Sequence, residues 1–103
     1  MNKYIVDFRK AKTYEDLHEI LKKSLGFPDY YGKNLDALWD CLMDYCYDWY
    51  IEIIGTDSIE KSLDNDMKKI IEVFTDLIRR YKSSQVAIVE ASGIKEKLIW
   101  NSN

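Results

Sequence analysis

The sequence predicts an α/β domain, a small three-stranded parallel sheet packed with about four helices. Three observations carry that reading. Short runs rich in β-branched and aromatic residues recur at 3–8, 50–54 and 85–89. Segments between them place apolar residues at helical spacing. Strands that alternate with helices pair in parallel through right-handed crossovers.

In chain order, 3–8 reads as a buried strand and 9–12 as a loop. Thr13 followed by Asp16 resembles a capping box, with Asp in place of the usual Glu. The helix it opens runs to about Leu25, with Tyr14, Leu17, Ile20, Leu21 and Ser24 inward, and Gly26 stops it. His18 falls at the edge of that apolar face and is expected at the boundary or exposed. Pro28 and Gly32 punctuate a loop that holds Asp29, Tyr30 and Tyr31. One of the two tyrosines can pack on the helix that follows while the other faces outward. Asn34 caps that helix. The strand at 50–54 ends at Gly55, and a short helical turn is expected from Asp57 or Ser58 to Ser62. A longer helix over 64–81 turns Met67, Ile70, Phe74, Leu77, Ile78 and Tyr81 to one side, with Glu72 and Asp76 opposite. Residues 85–89 form the third strand, and Trp49 reads as core. Ile94, Leu98, Ile99 and Trp100 in the tail suit either one docked helical turn or an extra strand.

A chain of 103 residues is expected to be one domain with little margin of buried surface. Its 47% hydrophobic content argues for a packed globule. The formal net charge of −3 speaks against direct nucleic-acid binding. Charge is unevenly spread: between Pro28 and Tyr50 there are five aspartates against one lysine, so the remainder is slightly basic. No secretory signal and no membrane-length apolar run is expected. Cys41 and Cys46 lie on one helix, too constrained to pair, and read as free thiols suited to a reducing cytoplasm. No cofactor or metal site is expected.

The stretch from Pro28 to Cys46 concentrates the signal. At about 100° per residue, Leu35, Leu38, Cys41, Leu42, Tyr45 and Cys46 share a core face. Asp36, Asp40 and Asp44 form one row on the other side, with Trp39 and Met43 beside it, away from the core. Like charges at this spacing repel by a few tenths of a kcal/mol per pair. Exposed apolar groups rimmed by charge mark interaction sites. The face is unfavourable for the free protein and suits a cationic partner.

The run Tyr30 to Leu42, YYGKNLDALWDCL, resembles the signature of the barstar family. Asp16-Leu17-His18 on the first helix and Glu72-Val73-Phe74 on a late one extend the likeness over about residues 1–90, and the inhibitor domain is expected over 1–91. Residues 92–103 then form a C-terminal extension. The resemblance implies a barstar-like fold and an immunity protein, a non-enzymatic cytoplasmic inhibitor of a basic ribonuclease, either barnase-like or a ribonuclease toxin of a toxin–antitoxin pair. It would act as a monomer, 1:1, in the active-site cleft and so protect the producing cell. It further implies Asp40 as the anchor in place of a substrate phosphate, with Asp36 in support. Tyr30, Gly32, Asn34, Leu35, Ala37, Trp39, Met43 and Tyr45 would complete the contact, and Asp76 would add a later acidic contact. Tyr45 stays open between core and interface: its helical angle points inward, whereas the family's counterpart, a tryptophan, touches the nuclease. The chain departs from the family pattern there, at Met43 in place of a small hydroxyl residue, at Asp76 in place of Glu and at Arg80 in place of an acid. Two other readings compete: a barstar-fold module for another basic protein, and a small hydrolase using Asp36 and Asp40.

Overall fold

The computed structural model describes residues 2–45, 49–80, 85–90 and 93–99. Four strands form one sheet in chain order: β1 (Asn2–Asp7), β2 (Trp49–Ile54), β3 (Gln85–Glu90) and β4 (Gly93–Ile99). β1, β2 and β3 are mutually parallel, in register from Asn2↔Trp49 to Asp7↔Ile54 and from Tyr50↔Gln85 to Ile54↔Val89. These are the three strands expected. β4 adds an antiparallel edge from Glu90↔Gly93 to Gln85↔Ile99, so the tail over these residues is a strand and not a helical turn. Its register shifts between Ile88 and Val89.

Three α-helices connect the parallel strands: α1 (Tyr14–Leu25), α2 (Leu35–Tyr45) and α3 (Asp64–Arg80). A 3-10 turn at Lys61–Leu63 leads into α3, later than the 57–62 turn expected. The described helices are therefore three plus that turn, against about four expected. With the parallel strands in chain order, right-handed crossovers run over the same face of the sheet. Val6, Phe8, Trp49, Ile51, Ile53, Val86 and Ile88 alternate along the strands and are buried on that side. On the opposite side Ile5 is 52% exposed and Lys3 pairs with Glu52 at 3.4 Å. The first strand is thus buried on one face only, because none of the described helices crosses behind it. Small Ala87 is the exception, fully buried at an opposite-facing position.

The caps form as their residues dictate. Thr13 and Asp16 make the reciprocal capping box, and Gly26 ends α1 in the left-handed conformation at φ 70°. Gly55, at φ 85°, ends β2 where a Cβ would meet the Arg9 backbone nitrogen at 2.9 Å, so only glycine lets the two strand ends approach. α1 buries Leu17, His18, Leu21 and Leu25, while Tyr14 stays 42% exposed. The helix is therefore rolled from the expected face. α3 buries Met67, Ile70, Phe74, Leu77 and Ile78 as its period requires; Tyr81 lies outside the described residues. Phe74 meets Trp49 edge-on at 6.1 Å, which confirms Trp49 as core.

Candidate functional site

The loop between α1 and α2 is tied down before it presents anything. Tyr31 is 5% exposed and its hydroxyl lies 2.6 Å from Nδ1 of His18, beneath the loop. His18 is fully buried, which corrects the expected boundary position. Its ring is drawn inward by that bond and covered by Tyr14 at 4.6 Å. Burial pushes the His18 pKa down, Asp66 pulls it back up, and Lys33 adds to the fall. Burial, with Cys41 and Tyr14 nearby, pushes the Tyr31 phenol up. Tyr30 points the other way and is 75% exposed, so the two tyrosines divide as packing and outward-facing residues.

Lys33 adopts a left-handed φ of 52°, unusual for a residue with a side chain. It is held there from α1. Its ammonium reaches Glu15 at 3.3 Å and Glu19 at 3.2 Å, and its carbonyl accepts from the Tyr14 hydroxyl at 3.2 Å. Glu19 raises the Lys33 pKa first and Glu15 adds to it. The bend lets Asn34 cap α2. Its Oδ1 accepts from the Ala37 amide at 2.8 Å, and its Nδ2 donates to the Gly32 carbonyl at 3.2 Å.

From this start α2 displays Asp36, Asp40 and Asp44 in one exposed row. None is paired with a cation among the described residues. Leu38, Cys41 and Leu42 are buried on the far side, and Leu35 and Ala37 pack half-buried at the margin. Cys41 is a free thiol; burial pushes its pKa up, and Asp44 and Asp40 push it further. An open cleft of about 340 Å³ lies between loop and helix, lined by Tyr30, Tyr31, Gly32, Ala37, Asp40, Cys41 and Asp44. The side chain of Tyr45, last in α2, and Cys46 lie outside the described residues.

Trp39 and Met43 differ from expectation. Both are half-buried and packed against the core. For Trp39 the reason is α3, whose C-terminal end reaches that edge of α2. Arg80 sets its guanidinium 5.3 Å from the Trp39 ring centroid, covering a face that helical periodicity alone leaves open. Arg80 is itself exposed, in keeping with the outer-surface position expected of it. Asp76 is exposed and sits 3.8 Å from Arg79 in the next turn. The structure thus brings Tyr30, Gly32, Ala37 and Asp40 to one cleft. Asn34 is the cap behind it, Asp36 lies along the row, and Asp76 stands on a separate helix. Sequence reasoning passed over Asp44 as a cleft residue, although its spacing of four from Asp40 was the available signal. It also passed over the anchoring of the loop by His18 and Lys33, which no local pattern encodes.

Among the described residues no group of three His, Cys, Asp or Glu side chains is placed to hold a metal ion. Of the described helices, none is long and apolar enough to cross a membrane.

The helices pack on one side of the sheet as a two-layer α/β scaffold, with the acidic row of α2 exposed. The sequence pattern of Barstar, described as a barnase inhibitor, matches residues 1–91, and the chain belongs to the Barstar family. A Bacillus subtilis (strain 168) protein carrying the name "Putative ribonuclease inhibitor YrdF" is 62% identical over 42 residues. That stretch covers 41% of this chain and 46% of the relative, so the match spans under half of each.

Proposed function

We propose that this chain is a proteinaceous inhibitor of a basic ribonuclease, a barnase-type extracellular enzyme or a ribonuclease toxin. In this reading the protein acts in the cytoplasm as a 1:1 immunity protein and protects the cell that makes the enzyme. The observation that supports it best is the exposed row of Asp36, Asp40 and Asp44, unpaired among the described residues and running beside a cleft that Asp40 lines. A ribonuclease active site binds phosphate and is therefore positive. Carboxylates on a rigid helix both steer its approach and pair within it. Asp40 takes the place of a substrate phosphate. Asp36 supports it, and Tyr30, Gly32, Asn34, Leu35, Ala37, Trp39, Met43 and Tyr45 supply the surrounding contact, with Asp76 at the flank. No chemistry is performed on the enzyme: inhibition is occupancy.

Isothermal calorimetry against barnase tests this. Wild type is expected to bind 1:1, and Asp40→Ala to lose about 4–8 kcal/mol. That range belongs to the strongest interface anchors, the corresponding aspartate of barstar among them, and is carried over from there. A loss of less than tenfold in affinity would remove Asp40 as the anchor. Absence of any binding by wild type would shift the reading to a basic protein other than a barnase-type enzyme.

A further inference from the structure

We propose that His18 is a positioning residue for partner binding: it braces the loop between α1 and α2 through Tyr31 and Tyr14, and its protonation releases that loop and lowers affinity. The inference rests on the reading of the loop and α2 as a docking surface. It concerns residues beneath that surface, to which the family resemblance assigns no contact. Two struts leave the His18 ring. Its Nδ1 lies 2.6 Å from the Tyr31 hydroxyl, which pins Tyr31 under the loop, where the tyrosine ring also packs on Phe27 at 5.0 Å. Its ring centroid lies 4.6 Å from that of Tyr14, whose hydroxyl donates to the Lys33 carbonyl at 3.2 Å. The struts therefore hold both ends of the bend from Tyr31 to Lys33. Between them Gly32 offers its carbonyl to the Asn34 side chain, and Asn34 caps α2. Tyr30, just before the bend, is sent outward. A loop already held in one position meets a partner without first losing conformational freedom, and that raises affinity.

The brace suits a neutral ring. His18 is fully buried, and its Nε2 has no hydrogen-bond partner among the described residues. Protonation would bury both an unmatched N–H and a charge, which is costlier than one unmatched neutral atom. The surrounding groups do not offset that charge. Burial keeps the Tyr31 phenol protonated, with Cys41 of α2 and Tyr14 of α1 adding to the effect. Lys33 of the loop, held by Glu15 and Glu19 of α1, opposes a second cation. Asp66 of α3 favours it, but burial is the larger influence. Moving the ring toward water relieves the charge and breaks both struts at once. Release is therefore expected below the ordinary histidine value of about 6.5.

The test follows the full-length ¹⁵N-labelled protein by NMR between about pH 8 and about pH 5.5, on either side of that value. The amides of Tyr31, Gly32 and Lys33 are expected to shift with the same midpoint as the His18 ring, while those of Ile51 and Val86 in the sheet hold their positions. His18→Gln should abolish this titration, and Tyr31→Phe should leave the loop amides displaced at either pH. Calorimetry with barnase reads the affinity, each variant taken as a ratio to wild type at the same pH so that the enzyme's own titration cancels. Tyr31→Phe is expected to bind several-fold more weakly than wild type at about pH 8 and equally at about pH 5.5. His18→Gln, which keeps a polar group for Tyr31, should match wild type at the higher pH and bind several-fold tighter than it at the lower. Loop amides that stay fixed while His18 titrates would overturn the proposal. Barnase binding with ratios that do not change with pH keeps the docking reading and removes the brace. Loop amides that titrate with His18 in a chain that binds no barnase support the brace and remove barnase-type enzymes as partners.

Discussion

His18 is the residue at which sequence and structure part most clearly. A lone histidine at a helix-face boundary reads as half-exposed, yet this one is fully buried and bonded to Tyr31 beneath the loop between α1 and α2. Its Nε2 has no hydrogen-bond partner among the described residues, so the neutral ring leaves one polar atom unsatisfied there and the protonated ring would leave a buried charge. Lys33 opposes that charge and Asp66 alone favours it. Burial sets the folded pKa below the ordinary histidine value of about 6.5, so below that value the unfolded chain binds more protons than the folded one. The stability His18 contributes is full above the unfolded pKa and falls as pH drops through it toward the folded pKa. Asp7, Asp16 and Glu19 are also depressed, but their losses set in only as pH nears ordinary carboxylate values. Urea unfolding should therefore show stability declining from about pH 7 to pH 5. His18→Gln, which keeps a polar group for Tyr31, should flatten that window. An equally steep decline in the variant would mean that His18 is not the titrating group.

At the scale of elements, what local chemistry controls was legible and what neighbours control was not. The Thr13–Asp16 box, the Gly26 stop and the Asn34 cap depend on a few adjacent residues, and each forms as read. The buried side of α3 follows its period because one sheet covers it. Trp39 and Met43 escape such reading. The α2 period sends them outward, yet both pack at the core margin, and for Trp39 the covering group is Arg80 of α3. The same contact revises what Arg80 does. It lies over Trp39 and places a cation at the edge of the acidic row, with Arg79 beside Asp76 a turn away. A basic enzyme would meet repulsion there, so the cognate partner is expected to be less basic, or to carry an acid, opposite Arg80. Asp76→Glu combined with Arg80→Glu should tighten binding to barnase, mainly through a faster, more salt-sensitive association. Loss of the stacked guanidinium should cost the free protein about 0.5–1 kcal/mol. A surface-plasmon series with barnase at several salt concentrations reads the first effect and urea unfolding the second. Unchanged association would place this flank outside the interface.

For the whole molecule, charge is segregated as strongly as hydrophobicity. Five of its 18 acidic residues fall between Pro28 and Tyr50, opposed there only by Lys33, which α1 already engages. The acidic field therefore faces out along α2, and association with barnase should slow steeply as salt shortens the screening length to about 10 Å at 0.1 M. A rate that stays flat across salt in stopped-flow mixing would argue against an acidic docking face. The parallel core of the sheet was legible because β-branched runs alternate with helical ones. β4 was not, because one apolar cluster near the chain end suits a helical turn and a strand equally, and pairing with β3 decides between them. The loop between α1 and α2, α2 itself and the α1 residues that anchor them all precede residue 91, where the family match also ends. We place the boundary of the inhibitor domain at that residue, with β4 as an edge that shields β3. A chain cut after residue 91 should still fold and bind barnase within a few-fold of the full chain. It should unfold at lower urea, because β3 loses its antiparallel partner, and it should aggregate sooner through the bared edge. Comparing both chains by urea unfolding, light scattering and calorimetry decides it. A truncated chain that cannot fold, or that folds and no longer binds, would make β4 part of the inhibitor domain and move the boundary to its far end.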